Sequence, residues 1–432
     1  MNLPNKKGYF LLLSMLLATL FTRASDEVPQ TDPFQPYLTE KAPTIVTDLG
    51  EEILDSIRLR KVIFHSRDVQ TQEGFVPTNI FAAIVRPAKP GTYPGLLVLH
   101  GGGGNAEIER AKNWAAQGYV VLTLDIPGVA NPEKVPQSSG TWKVVPYGKS
   151  RFTATPDLTH STIFEGVLAA VQGLYLLNAQ PDVIQNRIGI VGISWGGYTS
   201  TIVSGLASNM VKATFSLYGS GVYDEGSVFI KELNKMSDND RATWLRYLDA
   251  GRRIQSLKTP FFIAAGTNDN WFYPPAVTAT LKAMKGPVNH LFAANANHKI
   301  PVPGGTNDPR TNQVGWTSME LPYFDYYLKN KGYPFPLITT ISAASPKKGN
   351  AGITVKFRVK SKTPIQQANV FYSLADSSWT KRVWESVPAR AARGGWYYAE
   401  LPASVIGKAL DCYGSVSDDR PITVSSYLVR RN

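Results

Sequence analysis

The stretch RIGIVGISWGGYTS, residues 187 to 200, constrains the fold more than any other part of this 432-residue chain. Ile188, Ile190, Val191 and Ile193 make an apolar run of strand length. It is apolar at nearly every position rather than at alternate ones, as in strands buried on both faces of a parallel sheet. A serine follows at once, boxed by Gly192, Gly196 and Gly197, and a helical stretch comes after it. Glycines there let the backbone turn more sharply than side chains would permit.

The surrounding chain agrees with that reading. Strand-like runs cover residues 58–66, 79–85, 95–100 and 119–124, the last ending at Asp125. Between the latter two, Ile108, Ala111, Trp114 and Ala115 share one helical stripe that stops at Gly118. An irregular segment rich in Pro, Gly and Ser runs from about residue 127 to 159, a length that marks functional loops. Ile163, Val167, Ala170, Val171, Leu174 and Leu177 then recur at helical spacing. After the serine come strands over 213–218, 260–266 and 288–294 and a polar helical region over 241–252. A helix through Lys285 opens at Pro274 and Pro275, where proline is tolerated. A last helix spans 315–331, with a kink or break expected at Pro322. Strands alternating with helices define an α/β fold with a mostly parallel sheet flanked by helices.

Beyond Pro336 the texture changes. Ile353 to Val359 alternates strictly, as do parts of 370–374 and 422–429, with no helical stripe. This predicts a small all-β sandwich of immunoglobulin-like character over 339–432, following an α/β domain with an N-terminal extension over 25–338.

The chain opens with Lys6 and Lys7, an apolar run from Tyr9 to Phe21 and the small residues around Ala24. That pattern predicts an export signal over 1–24, placing the protein in a bacterial periplasm or outside the cell. The run is shorter than the ~18 residues of a spanning helix, so no membrane span is expected once it is cut. Cys412 is the only cysteine, which excludes a disulfide framework and a cysteine-based zinc site. Of the net charge of +12, a net of +8 lies in residues 340–432, where fourteen Lys and Arg face six Asp and Glu. Such an excess keeps a surface soluble or meets an anionic polysaccharide. A nucleic-acid partner is not expected, because no basic recognition motif is present.

A serine hydroxyl becomes a strong nucleophile only when a base takes its proton, and an imidazole base needs an acid to hold its tautomer. The glycine-boxed serine between strand and helix is the nucleophile-elbow pattern, with acid and base expected after later strands in the order Ser, Asp, His. Asp269, in GTNDNWFYPP, and His298, in ANANH, occupy those places after Ser194. Asp125 precedes the serine and fits that order poorly, and His290 lies inside an apolar strand, as a core histidine would. Oxyanion stabilisation needs two backbone N–H groups. Trp195 supplies one, and the LVLHGGGGN run supplies the other from Gly102, with Gly103 in reserve. His100, Trp142, Tyr147, Trp195, Trp271 and Phe272 are candidates for a wall around the substrate. No metal or cofactor is implied, for there is no His-Glu-x-x-His run and no P-loop lysine after the glycines.

With these residues in place, the chain resembles the α/β-hydrolase superfamily. The runs YPGLLVLHGGGGN, GISWGGY, GTNDNWFYPP and NANH are similar to the dienelactone hydrolase and acetyl xylan esterase branch, near the prolyl oligopeptidase-like hydrolases. Residues 244–298 also resemble the PhoPQ-activated pathogenicity-related proteins. The resemblance covers residues 55–335 and implies a Ser194, Asp269, His298 triad with Gly102 and Trp195 as oxyanion donors. Dienelactone hydrolases proper carry a cysteine nucleophile, so the serine implies an ester rather than that lactone. The expectation is an exported serine esterase removing acyl groups, acetyl first, from carbohydrate. The alternatives are a prolyl oligopeptidase-type serine peptidase and a non-catalytic glycan-binding protein on the same fold.

Overall fold

In the computed structural model, nine strands form one mixed sheet in the order β1-β2-β3-β5-β4-β6-β7-β8-β9. They are β1 Ile45–Leu54, β2 Ile57–Thr71, β3 Gly74–Pro87, β4 Tyr93–Leu99, β5 Val120–Leu124, β6 Val183–Ile193, β7 Val211–Leu217, β8 Phe261–Gly266 and β9 Val288–Ala293. The structure describes residues 31–298, 300, 307–308, 313–314, 316–344, 352–375, 378–420 and 422–432, so the expected export signal lies outside the described residues. Strands β4 to β9 pair in parallel, whereas β1, β2 and β3 form an antiparallel meander joined to β5.

The burial patterns explain the arrangement. Strands β5 and β8 are buried at every position, as strands covered on both faces must be. Leu97 and Leu99 of β4 pack with the helix α2 (Thr162–Asn178) and with α3 (Trp195–Leu206). The alternate residues Leu96 and Val98 pack with α1 (Ile108–Ala116) and with the helix Trp316–Lys329. The period of two along the strand thus feeds two separate apolar layers. Strand β1 is exposed along almost its whole length, so no alternation announces it in the sequence. The helix Trp316–Lys329 continues through Pro322. Burial of Met319, Tyr323, Phe324 and Leu328 against the sheet offsets the lost backbone bond. Among the described residues no helix is long and apolar enough to cross a membrane.

The C-terminal region is all-β. One antiparallel sheet holds Leu337–Ala344, Thr354–Lys360, Trp396–Glu400 and Arg390–Ala392. The other holds Glu385–Pro388, Ile365–Leu374, Leu410–Asp418 and Thr423–Ser425, with Val429–Arg431 on the same long strand. Val355, Phe357 and Val359 face Val370, Tyr372 and Cys412 in a shared apolar cluster. That region is joined to the large sheet at β9. His290 Nε2 donates to the Ser426 carbonyl at 3.0 Å, Phe292 N–H donates to Ser425 Oγ at 2.9 Å, and Tyr413 Oη donates to the Phe292 carbonyl at 3.0 Å.

His290 is the packed core histidine that its apolar strand predicts. Burial depresses its pKa from 6.5 to about 4. The unfolded chain therefore takes up a proton near pH 6.5 that the folded protein refuses until near pH 4, and stability falls between those values. Wild type is expected to lose up to about 3 kcal/mol relative to His290→Gln over that window, read by urea unfolding at stepped pH. Parallel stability curves for the two proteins would contradict this.

Candidate active site

Strand β6 ends at Ile193 and α3 begins at Trp195, so Ser194 alone makes the turn, with φ 57° and ψ −119°. A non-glycine residue in that region is strained by about 1–3 kcal/mol, and its surroundings must hold it there. They do so by close backbone contact. A Cβ on Gly192 would lie 2.2 Å from the Gly196 carbonyl oxygen, and one on Gly196 would lie 2.3 Å from that of Leu99. Ser194 N–H donates to the Leu217 carbonyl at 2.7 Å, tying the turn to β7. The glycines of the sequence motif are there so that α3 can dock on the ends of β4 and β7.

The structure brings Ser194, Asp269 and His298 together. His298 Nε2 is 2.8 Å from Ser194 Oγ, and His298 Nδ1 is 2.7 Å from Asp269 Oδ2. Asp269 follows β8 and its side chain is fully buried. Its Oδ1 accepts from the N–H groups of Trp271 at 2.7 Å and Phe272 at 3.1 Å, which leaves Oδ2 for the histidine. A carboxylate only accepts, so the imidazole carries its proton on Nδ1 and presents the Nε2 lone pair to the serine hydroxyl. The ring packs on Tyr218, with centroids 4.6 Å apart, and on Phe272, at 6.2 Å.

Two asparagines beside these residues reach the C-terminal region. Asn268 Nδ2 donates to the Arg382 carbonyl at 2.6 Å. Asn295 pairs with the Trp384 backbone twice, donating to its carbonyl at 2.7 Å and accepting from its N–H at 2.8 Å. Thr267 Oγ1 accepts from Asn295 N–H at 2.9 Å and donates to Asn268 Oδ1 at 2.7 Å, so the two loops are laced to each other as well. Local sequence carries no sign of these contacts, because their partners lie some ninety residues or more downstream.

Among the expected donors, Trp195 is the first residue of α3, where an N–H has no acceptor within the helix. Gly102 lies against it, since a Cβ on Gly102 would meet Trp195 Cδ1 at 2.9 Å and Tyr147 Oη at 2.7 Å. Gly103 is a correction: its N–H is spent on the Val129 carbonyl at 2.8 Å, with φ at +76°. His100 is another. Its Nδ1 donates to the Gly101 carbonyl at 2.8 Å and its Nε2 accepts from Ile126 N–H at 3.0 Å, so the buried ring fixes the glycine run to the chain after β5. Desolvation holds its pKa below the usual histidine range, keeping it neutral.

The expected aromatic wall divides. Trp142 is buried in a separate small cluster with Ala130 and Val135 and faces no cleft, which corrects its assignment. Phe272 is also buried, so it backs the His298 ring instead of lining a surface. Trp271 and Tyr147 are the exposed members, at 46% and 44%. Two residues not singled out in the sequence complete the setting: Tyr218 under the imidazole, and Arg151. The guanidinium of Arg151 sits 4.7 Å from the ring centroids of both Tyr147 and Trp195, and its Nε donates to the Gly128 carbonyl at 2.6 Å. Nothing local marks Arg151, because it lies in the irregular segment.

A sheet of this order, with a strained serine at a strand-to-helix turn and loops after later strands converging on it, defines an α/β-hydrolase. The chain belongs to the dienelactone hydrolase family, whose model matches residues 80–301. Among solved structures it is similar to acetyl xylan esterase 1 from Thermoanaerobacterium sp., with 20% identity and a TM-score of 0.51 over 63% of this chain and 88% of that one. An acetyl xylan esterase from Paenibacillus sp. matches with 18% identity and a TM-score of 0.51 over 68% of this chain and 92% of that one. At these identities the likeness is one of fold.

Proposed function

We propose that the protein is an exported serine esterase that removes short acyl groups, acetyl first, from carbohydrate. The observation that carries this reading is the doubly bonded imidazole: His298 touches Ser194 Oγ and Asp269 Oδ2 at once. As Ser194 Oγ attacks the ester carbonyl carbon, its proton passes to His298 Nε2, and Asp269 stabilises the imidazolium that forms. The carbonyl oxygen gains the negative charge between the N–H groups of Trp195 and Gly102. Collapse of the tetrahedral adduct expels the alcohol, which takes the proton from His298 Nε2. Water, deprotonated by the same nitrogen, then attacks the acyl-serine and releases the acid and free Ser194. The serine favours an ester substrate, and the serine esterase reading agrees with the family and with the fold of the acetyl xylan esterases.

The test is a substrate panel of p-nitrophenyl esters of rising chain length, acetylated xylan, methyl uronates and an aminoacyl-proline chromogen. Turnover of acetyl esters with covalent labelling of Ser194 by a fluorophosphonate is expected. Preference for the proline chromogen would replace this reading with a peptidase. Gly102→Ala places a methyl group between Tyr147 Oη and Trp195, in front of the proposed oxyanion position. A shift of about 1 Å in those neighbours lowers kcat by about tenfold to 10²-fold, read on p-nitrophenyl acetate, with thermal unfolding recorded to separate this loss from a loss of fold.

A further inference from the structure

The outer face of the four-stranded C-terminal sheet carries a pattern that the hydrolase site does not use, although Arg358 Nε donates to the Gly394 carbonyl at 3.1 Å. Along Thr354–Lys360 the inward residues Val355, Phe357 and Val359 are buried, and the outward Lys356, Arg358 and Lys360 are exposed. Register then sets two rows across the sheet, since paired residues share a face. Ser342, Lys356, Tyr398 and Arg390 form the first, and Thr340, Arg358, Trp396 and Ala392 the second. Each row therefore holds a cation beside an aromatic ring. Lys356 Nζ is 5.4 Å from the Trp396 ring centroid and Arg358 Cζ is 6.0 Å from it. Tyr398 is 41% exposed. Successive outward residues on a strand are about 7 Å apart, so the two rings and their cations form one contiguous patch.

Among the described residues, none of Lys356, Arg358, Lys360 and Arg390 forms an ion pair. Glu400, opposite Thr354, is the one acid on these paired positions, and it stands at the end of the face. We infer that this face binds an acidic polysaccharide bearing carboxylates, with pyranose rings lying on Trp396 and Tyr398 and carboxylates meeting Lys356, Arg358 and Arg390. The charge complementarity is direct, and the flat rings offer stacking surface. A bilayer would instead require a cluster of large apolar side chains, and beside the two amphipathic rings this face shows only Leu337, paired with Lys360. The choice of polysaccharide over other polyanions rests on the esterase reading.

The test is affinity electrophoresis of the full chain carrying Ser194→Ala, in gels containing polygalacturonate, deacetylated xylan, dextran sulfate or oligothymidylate, with flotation on phosphatidylglycerol vesicles alongside. Retardation by polygalacturonate, not by neutral xylan, is expected. Trp396→Ala with Tyr398→Ala should weaken it about tenfold, the worth of a stacked ring. Lys356→Gln with Arg358→Gln should abolish it and its salt dependence. In the Ser194 background both double variants should hydrolyse p-nitrophenyl acetate at the parent rate, which shows them folded. Absence of retardation, indifference to either double variant, or stronger binding to dextran sulfate, oligothymidylate or vesicles overturns the inference. Persisting turnover in the Ser194→Ala chain would instead strike the esterase reading and leave the gel result standing.

Discussion

Ser194→Ala is expected to lower kcat on p-nitrophenyl acetate by about 10⁶-fold, the order seen when the nucleophile of such a triad is removed. The substitution deletes one oxygen and adds nothing. The backbone strain at φ 57° is the same for alanine as for serine, and the Ser194 N–H bond to Leu217 remains. Thermal unfolding should therefore barely move, and substrate affinity should persist because no other contact is lost. Measured turnover within tenfold of wild type, in protein free of contaminating esterase, would remove Ser194 from the chemistry.

Asp269→Asn should cost less, about 10⁴-fold in kcat, for a different reason. The Asp269 oxygens accept from Trp271, Phe272 and His298, and the side chain is fully buried. An asparagine keeps its oxygen on the two backbone N–H groups and turns its amide donors toward His298 Nδ1. That nitrogen must then accept, the imidazole proton moves to Nε2, and the lone pair that would take the serine proton is gone. Folding should survive, since both backbone donors keep a partner. The measurement that separates this from simple distortion is the tautomer of His298, read by ¹⁵N NMR of the imidazole. Asp269→Asn should move the ring proton from Nδ1 to Nε2, whereas Gly102→Ala should leave it on Nδ1.

The elbow was legible in the sequence because its requirement is local: a turn this tight admits only small flanking residues, and they sit within five positions. The placement of Asp269 and His298 beside Ser194 was legible because chain order and strand ends narrow the choice. The proposed oxyanion donors were only half legible. A run of four glycines shows that bare backbone is wanted, but which N–H points inward depends on Val129, a residue from a different loop that captures Gly103. His100 misled for a related reason, since its two nitrogens are occupied by Gly101 and Ile126 and no sequence pattern reveals that. Trp142 and Trp271 are alike as letters, and only the packing of the 127–159 segment separates a buried ring from an exposed one. Strand β1 escaped notice because an exposed strand has no apolar period to read.

The paired bonds from Asn268 and Asn295 to the backbone at Arg382 and Trp384 have a consequence for how the chain matures. The loops holding the acid and the imidazole are braced by a part of the polypeptide that leaves the ribosome after them. A chain ending just after His298 would hold all three members of the proposed triad and still lack the backbone at Arg382 and Trp384 that braces their loops. On the proposed mechanism, the spacing of acid and imidazole therefore depends on a region that holds none of the three residues, and cutting the chain near residue 384 is expected to lower turnover while leaving those residues intact.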